Sequence, residues 1–284
     1  MFGSIAAAAL AAATPATIQE HQAACAGKDG WSDPAPPVKI FANVYDVGTC
    51  GIVSLLIAGP RGHILLDAAT AEAAPSIAAN IERLGFKLSD VKLIGASHEH
   101  FDHVGGMAEL QRRTGATVMS MPTAYVALET GKADEEDPQY GMHAPFPRVK
   151  VGIMLADRFL VRQGPLAITA YATPGHAPGS TSWAWRSCEA GRCVTFVYAD
   201  SVSAVSSDSY RFSDHERYVA TFKDSLEKIG RMQCGLLVTP HPSASNLYNR
   251  LAGKAPLIDR GACKDYAQRG RAALDARLAK EQAK

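Results

Sequence analysis

Ionisable side chains are concentrated in the segment "SHEHFDHVGG", residues 97–106. His98, His100 and Asp102 alternate along the chain, and in an extended segment such side chains point to the same side. His103 joins them where the chain turns. Imidazole nitrogens and carboxylate oxygens are ligands that zinc binds readily. The segment therefore predicts a metal site, and its two glycines let backbone pass close to the site where a larger residue would crowd it.

Two further histidines stand in similar surroundings. His176 lies in "TPGHAPGST" and His241 in "LLVTPHPSAS", each in a turn directly after a strand-like run. A lone strand-end histidine is usually a surface or hydrogen-bonded residue, but the combination favours metal binding. Six candidate ligands suit two metal ions, each with three protein ligands and a shared water. These candidates are His98, His100, Asp102, His103, His176 and His241.

Other ionisable residues near these motifs have different expected roles. Glu99 alternates away from the ligands, and we expect it to orient a ligand histidine or to lie at the surface. His143 stands in a long polar loop, where contact with a substrate is one alternative to a solvated position. His215 is expected to be solvated.

Strand-like and helical patterns surround the metal motif. "VKLIGAS" is a short apolar run, hence a buried strand that leads into the motif, and "GGMAELQRRTG" follows as a helix. The motif thus sits at the C-terminal end of a strand, where open α/β sheets place ligands. Further strands are predicted at "IFANVYDVG", "GIVSLLIAG", "HILLDAA", "ATVMS", "LAITAYA", "STSWAW", "RCVTFVYA" and "CGLLVTP".

The remaining patterns complete a fold prediction. "AAPSIAANIERLG" and the C-terminal "ACKDYAQRGRAALDARLAKEQAK" are predicted helices, and Ser213 with Glu216 forms a predicted capping box for a third. Residues 121–130 hold another helix, and 131–148 read as a surface loop that could act as a lid. The elements fall into two halves. They predict an α/β fold, a four-layer αβ/βα sandwich with two mixed β-sheets packed together and helices on the outer faces.

Composition limits the classes of partner. The chain has 284 residues, 47% of them hydrophobic, and a formal net charge of +1. No global charge draws it to nucleic acid or to an anionic membrane, and no internal apolar run is long enough to span a bilayer. Residues 1–24 are apolar and rich in small residues, and are predicted to be a signal peptide and disordered leader. The alternative is an alanine-rich tail. Residues 25–284 are predicted to form a single domain in the periplasm.

The six cysteines include no C-x-x-C pair. With an export signal, this favours disulfides over zinc thiolates, whereas reduced buried cysteines would require a cytosolic protein. Cys188 and Cys193 flank the turn "EAGR" between two strand-like runs and are predicted to pair. The sequence pattern leaves the pairing of the other four open: Cys25, Cys50, Cys234 and Cys263.

The motif H-x-H-x-D-H at a strand end resembles the metallo-β-lactamase superfamily, and the likeness extends from about residue 38 to about 275. "TPGHAPGSTSW", "YADSVS" and "VTPHPSAS" are similar to motifs of the third subclass of class B β-lactamases. "YADSVS" carries a serine where the first two subclasses have a zinc-binding cysteine. The resemblance implies the pairs Cys25–Cys50 and Cys234–Cys263 beside Cys188–Cys193.

The resemblance also implies roles for the candidate residues. His98, His100 and His176 would hold a first zinc ion, and Asp102, His103 and His241 a second. Asp102 would be catalytic as well, by orienting a bridging hydroxide that attacks the β-lactam amide carbonyl. The resemblance implies that Ser201 and Ser203 bind the substrate, whereas the alternative is that they are simple strand-end hydroxyls.

The implied activity is zinc-dependent hydrolysis of penicillins, cephalosporins and carbapenems by a monomer, giving antibiotic resistance. The main alternative is a lactonase acting on acyl-homoserine lactones, because related lactonases use an aspartate as a bridging ligand and Asp200 stands before Ser201. A glutathione thioesterase is expected in the cytosol without disulfides. A non-catalytic binding module predicts lost ligands, and all six are present.

Overall fold

The structure is a computed structural model that describes residues 14–283. Its larger sheet has seven strands, which lie side by side in chain order. The first four are antiparallel neighbours and the last four are parallel, so that the sheet is mixed. The strands are β1 (Val38–Phe41), β2 (Val44–Asp46), β3 (Leu55–Ile57), β4 (His63–Leu66), β5 (Val91–Gly95), β6 (Thr117–Ser120) and β7 (Val151–Met154).

The second sheet has five strands in reverse chain order, with the last strand at one edge. Only its final pair is parallel. From the edge formed by β8 to the edge formed by β12, the order of the strands is β8 (Phe159–Gln163), β9 (Leu166–Ala172), β10 (Thr181–Glu189), β11 (Arg192–Tyr198) and β12 (Leu236–Val238).

Helices cover the outer faces of both sheets. They are α1 (Ile18–Ala24), α2 (Ala74–Arg83), α3 (Phe101–Val104), α4 (Met107–Thr114), α5 (Pro122–Thr130), α6 (Glu216–Gly230), α7 (Leu247–Leu251) and α8 (Ala262–Gln282).

Three buried apolar clusters fill the interfaces between adjacent layers. One lies between the two sheets and contains Trp183 and Phe196. A second packs α2 and α4 against the seven-stranded sheet through residues such as Ile77, and a third packs α6 and α8 against the five-stranded sheet around Phe222. The predicted four-layer sandwich is therefore confirmed. Burial of these apolar side chains is the main stabilising contribution to such a fold.

Two strand predictions needed correction. "IFANVYDVG" is not one strand, because Ala42 has a φ of 52° and Asn43 donates a side-chain hydrogen bond to the carbonyl of Ala58, which turns the chain between β1 and β2. Strands β7 and β8 were missed. Each is an edge strand with several exposed residues, so neither shows a continuous apolar run.

The predicted capping box of α6 is wrong. The N-cap residue is His215, without a side-chain cap, and Ser213 lies in a preceding 3₁₀ turn. The backbone N–H of Ser213 donates to Oε2 of Glu281 in α8 at 2.8 Å. A carboxylate from a distant helix thus replaces the local partner that the capping box would have supplied.

The N-terminal prediction lies partly outside the described residues, which begin at residue 14. Residues 18–24, expected to be a disordered leader, instead form α1, with Thr17 and Glu20 as a capping box. His21 is buried, its ring centroid 4.4 Å from that of Tyr248. The ordered chain therefore begins before residue 25, and the signal peptide stays a prediction.

Three disulfides join the predicted cysteine pairs: Cys25–Cys50, Cys188–Cys193 and Cys234–Cys263. Cys188 and Cys193 are opposite residues in the antiparallel register of β10 and β11, as the hairpin pattern predicted. Within residues 14–283, the helices are all too short or too polar to cross a membrane.

Candidate metal centre

The six predicted ligands converge from both sheets. His98 and His100 follow β5, and Asp102 and His103 lie in α3, directly after them. His176 lies in the connection between β9 and β10, and His241 follows β12. The site is therefore built where strand ends of the two sheets meet, as the position of the motif after a strand predicted.

Ligand atoms lie within coordinating reach of a common point in two groups. Donor atoms of His98, His100 and His176 all lie within 4.8 Å of one another, as do those of His98, Asp102 and His103. His241 is adjacent to the second group, since its Nε2 atom is 3.5 Å from Oδ2 of Asp102. The structure brings together all six residues. It places His98 in both groups, between the two predicted ligand sets.

Four of the histidines have their other ring nitrogen held by an acceptor outside the cluster. Such partners fix the ring orientation and the tautomer of metal-binding histidines. The pairs are His98 Nδ1 with Asp200 Oδ1 at 2.8 Å, His100 Nε2 with Asp137 Oδ2 at 2.9 Å, His103 Nδ1 with Asp67 Oδ2 at 3.1 Å, and His176 Nδ1 with the Ser203 carbonyl at 2.9 Å.

Asp67 is the most heavily bonded of these partners. It follows β4 with a φ of 64° and is fully buried. Its carboxylate accepts from the backbone N–H of Ser97 at 2.5 Å, from the hydroxyl of Ser97 at 2.7 Å and from the hydroxyl of Tyr198 at 2.7 Å. It therefore fixes the start of the metal motif as well as the His103 ring.

Ring nitrogens inside the cluster fit a metal ion. Nε2 of His98 is buried and has no hydrogen-bond partner among the residues that the structure describes, and Nε2 of His103 is buried 3.2 Å from Oδ2 of Asp102, another predicted ligand. A buried polar atom without a partner is costly, and a metal ion would satisfy Nε2 of His98. Imidazole and carboxylate donors without a thiolate suit zinc. The residues present thus fit the group that the sequence predicted.

Burial keeps several of these imidazoles neutral, which is the form that binds metal. Burial, followed by the neighbouring histidines, holds the pKa of His98 well below its usual range. Burial and His100 lower the pKa of His176 to about 3. Burial and His103 lower that of His241 to about 4.

The pKa values of Asp102 and His103 move in the directions that favour the charged form of each side chain. Burial favours the neutral form of each, but the charge of the other residue outweighs it. The pKa of Asp102 is lowered, chiefly by His103, and that of His103 is raised to about 10 by Asp102 and Asp67. In the metal-free protein this pair is therefore charged at neutral pH.

The two glycines of the motif serve a close backbone approach. A Cβ atom on Gly106 would lie 2.3 Å from the carbonyl oxygen of Ala68, and one on Gly105 would lie 2.5 Å from that of Phe101. A close backbone approach is thus present, but it is made to residues 68–71 and within α3 rather than to the ligand side chains.

The loop at 131–148 is not a simple surface loop. Asp137 and Gln139 are buried within it, and Asp137 contacts His100 as described above. Nε2 of Gln139 is 3.4 Å from Nε2 of His176, and Oε1 of Gln139 is 3.3 Å from Nε2 of His143. The predicted candidate lid therefore reaches the metal cluster through its first half.

The two predicted substrate serines follow Asp200 along the chain. Ser201 is half-buried, and Ser203 is exposed. The hydroxyl of Ser203 is 3.1 Å from Nδ1 of His176, so this residue contacts a predicted ligand through both its backbone and its side chain. Glu99 is 2% exposed and lies outside both ligand groups, so its expected surface position is wrong and an orienting role remains.

Sequence reasoning missed Asp67 and Asp137, and weighed Asp200 as a metal ligand without seeing its contact with His98. Asp67 follows β4 directly and Asp200 comes two residues after the end of β11, positions that could have singled them out. Asp137 stands in a polar loop among other acidic residues, and nothing in its surroundings distinguishes it.

Comparison with known proteins decides the family. The model of the metallo-beta-lactamase superfamily matches residues 47–190, about half of the chain, including five of the six predicted ligands. The chain belongs to the metallo-β-lactamase superfamily.

Several solved metallo-β-lactamases share the whole architecture of this superfamily member. MIM-1 from Novosphingobium pentaromativorans is 47% identical, with a TM-score of 0.91, over 93% of this chain and 98% of that one. SMB-1, solved with 2-mercaptoethanesulfonate, is 44% identical with a TM-score of 0.86, over 89% of this chain and 99% of that one. MEM-A1, a subclass B3 enzyme from a soil metagenome library, is 43% identical with a TM-score of 0.86, again over 89% and 99%.

A relative with a different name is similar over a shorter stretch. A hydroxyacylglutathione hydrolase of Rhodopseudomonas palustris (strain BisB5) is 31% identical over 121 residues, which are 43% of this chain. The chain spans only 38% of that relative's length. This local likeness reflects the shared superfamily, whereas the subclass B3 enzymes match nearly end to end.

Proposed function

We propose that this protein is a zinc-dependent β-lactamase of subclass B3, which hydrolyses the amide bond of penicillins, cephalosporins and carbapenems. The observation that carries the proposal is the convergence of five histidines and Asp102 from both sheets, with the buried, unpartnered Nε2 of His98 facing the cluster. The end-to-end likeness to solved subclass B3 enzymes supports β-lactams as the substrate class.

We assign His98, His100 and His176 to a first zinc ion and Asp102, His103 and His241 to a second. Bound zinc lowers the pKa of a coordinated water and polarises a carbonyl oxygen, which is the chemistry that amide hydrolysis requires. Asp67, Asp137, Asp200 and the Ser203 carbonyl hold four ligand rings in one orientation. Asp102 orients the attacking water as well as binding metal.

Access for a substrate lies on the side of His241, whose side chain is 31% exposed. A cleft of about 460 Å³ adjoins it and is bounded by residues that include Trp31 and Asn246. We assign Ser201 and Ser203 to the binding of a substrate carboxylate, and the hydroxyl of Ser203 lies 3.1 Å from Nδ1 of the proposed ligand His176.

The lactonase alternative is less well supported. It uses Asp200 as a metal-bridging ligand, but this carboxylate lies behind His98, on the ring nitrogen that faces away from the buried cluster. An aspartate in this position orients a ligand rather than bridging two ions.

Purified, zinc-loaded protein should be assayed with a carbapenem and, in parallel, with an acyl-homoserine lactone. We expect fast carbapenem hydrolysis that a chelator abolishes and that added zinc restores. Lactone opening with negligible β-lactam turnover would contradict the substrate assignment while leaving the metal site intact.

We further propose a monomer that is exported to the periplasm by an N-terminal signal that ends before α1 and confers antibiotic resistance there. Three disulfides support an oxidising compartment. Expression of the full chain in a bacterium, with fractionation and determination of the mature N-terminus, tests the location. Size-exclusion chromatography with light scattering tests the oligomeric state.

A further inference from the structure

Glu99 stands between two predicted ligands, His98 and His100, yet its side chain leaves the metal cluster. Its Oε1 atom accepts a hydrogen bond from the backbone N–H of Gly179 at 2.7 Å. Gly179 belongs to the connection between β9 and β10 that carries His176. One buried side chain thus joins the two chain segments that supply the first ligand group.

This contact continues a backbone pairing. The N–H of Thr181 donates to the carbonyl of Ser97 at 2.6 Å, and the Glu99–Gly179 contact involves the residue two positions after Ser97 and the residue two positions before Thr181. β5 ends at Gly95, and the chain bends at residues 97, 99 and 100 before α3 begins at Phe101. The acceptor for the N–H of Gly179 is the Glu99 carboxyl rather than a backbone carbonyl.

The space around the contact leaves little freedom. A Cβ atom on Gly179 would lie 2.3 Å from Cβ of Ala124 and 2.5 Å from Oε2 of Glu99. Ala124 belongs to α5, so the Glu99 carboxyl and α5 both lie against Gly179 in the His176 segment. There is no room at this position for a longer or displaced side chain.

We propose that Glu99 is a positioning residue, which sets the separation of His176 from His98 and His100 and so determines the metal affinity of the first ligand group. The ring centroid of His176 lies 4.7 Å from that of His98 and 5.0 Å from that of His100. These distances join two segments, and the Glu99–Gly179 bond is a buried side-chain link between them. The inference rests on the proposed zinc-dependent function.

Metal binding, rather than catalysis, tests this role. Glu99→Gln keeps an oxygen acceptor in place, whereas Glu99→Met keeps the volume and removes the acceptor. Zinc affinity would be measured by chelator competition, and the ligand field by the visible absorption of the cobalt-substituted protein. We expect Glu99→Met to lower the affinity of the protein for one of the two zinc ions by about 10- to 100-fold and to change the absorption spectrum of the cobalt-substituted protein. The Glu99→Gln variant should have nearly the same zinc affinity and the same cobalt absorption spectrum as the unaltered protein.

Asn80→Leu is a matched control, because Asn80 is buried and its side chain donates to the carbonyls of Ala35 and Val47 but lies outside both ligand groups. Denaturant unfolding of each metal-free variant measures the general loss of stability. If Glu99→Met does not fold, Glu99→Asp replaces it, because the shorter side chain cannot reach Gly179 from the same backbone. A loss of zinc affinity in Asn80→Leu as large as that in Glu99→Met would overturn the proposal.

Two further results would also overturn it: unaltered zinc affinity with an unaltered cobalt spectrum in Glu99→Met, or equal losses in Glu99→Met and Glu99→Gln. A failure of the proposed function is distinguishable from these. It would appear as absent carbapenem hydrolysis by the unaltered zinc-loaded protein, while the metal affinities of the Glu99 variants still separate.

Discussion

At the scale of single residues, the metal centre combines neutral imidazoles with one charged pair. Burial keeps His98, His176 and His241 in the form that binds metal. Asp102 and His103 stabilise each other's charge in the metal-free protein. Three of the imidazoles are therefore already in the neutral form that binds metal. The His103 ring is protonated in the metal-free protein and must lose this proton when metal binds.

Asp102→Ala removes both a ligand and the carboxylate that orients water. We expect carbapenem turnover to fall by at least about 100-fold and the zinc content to drop below two ions per chain, since metal ligands and their partners each contribute strongly to affinity. Steady-state kinetics and metal analysis of the dialysed protein measure the two effects. Full activity with two zinc ions retained would exclude this role for Asp102.

Zinc uptake should release a proton near neutral pH. The raised pKa of His103, about 10, means that its ring is protonated at pH 7, and zinc can bind Nε2 only after that proton leaves. Affinity for the ion at this position should therefore rise by about tenfold per pH unit between pH 6 and 9. Calorimetry in buffers of different ionisation enthalpy measures the released proton. A pH-independent affinity would show that His103 is already neutral.

At the scale of elements, strand ends and disulfides hold the segments that carry ligands. The disulfide Cys234–Cys263 joins a residue two positions before β12 to the first turn of α8. His241 lies three residues after the end of β12. In α8, the hydroxyl of Tyr266 donates a hydrogen bond to the carbonyl of Asp200 at 3.0 Å. This disulfide therefore constrains two segments that contribute to the metal centre.

Replacement of both Cys234 and Cys263 by alanine should lower the free energy of unfolding by about 2–4 kcal/mol, because the unfolded chain gains the freedom of an open loop. Denaturant unfolding under non-reducing conditions measures the change. The Cys188–Cys193 pair closes a far shorter loop, with a sequence separation of 5 against 29. Its removal is the control and should cost less; an equal cost would contradict the loop-length argument.

At the scale of the whole molecule, each proposed zinc ion joins the two sheets. His98 and His100 follow a strand of the seven-stranded sheet, whereas His176 lies between strands of the five-stranded sheet. The second ligand set is divided between the sheets in the same way. Asp102 and His103 follow the seven-stranded sheet, whereas His241 follows β12 of the five-stranded sheet. The three apolar clusters stabilise the layers without metal, and metal adds a link at the strand ends.

Removal of zinc by a chelator should leave the secondary structure intact and lower the melting temperature. At a zinc concentration of about 100 times the dissociation constant, binding adds about 2.7 kcal/mol, which corresponds to about 5–10 °C for a domain of this size. Circular dichroism and calorimetry with and without chelator measure both quantities. Loss of the far-ultraviolet signal on chelation would mean that the apolar layers alone do not maintain the fold.

The sequence by itself determined the ligand types, their position at strand ends, the Cys188–Cys193 hairpin and the alternation of layers. Each of these depends on residues that are close in the chain, where spacing fixes direction. Only the tertiary structure decided which acceptor holds each ligand ring, how Glu99 reaches Gly179 and how Glu281 replaces the expected cap of α6. Asp200 is 102 residues from His98, and such contacts depend on strand register and sheet packing, which no local pattern specifies.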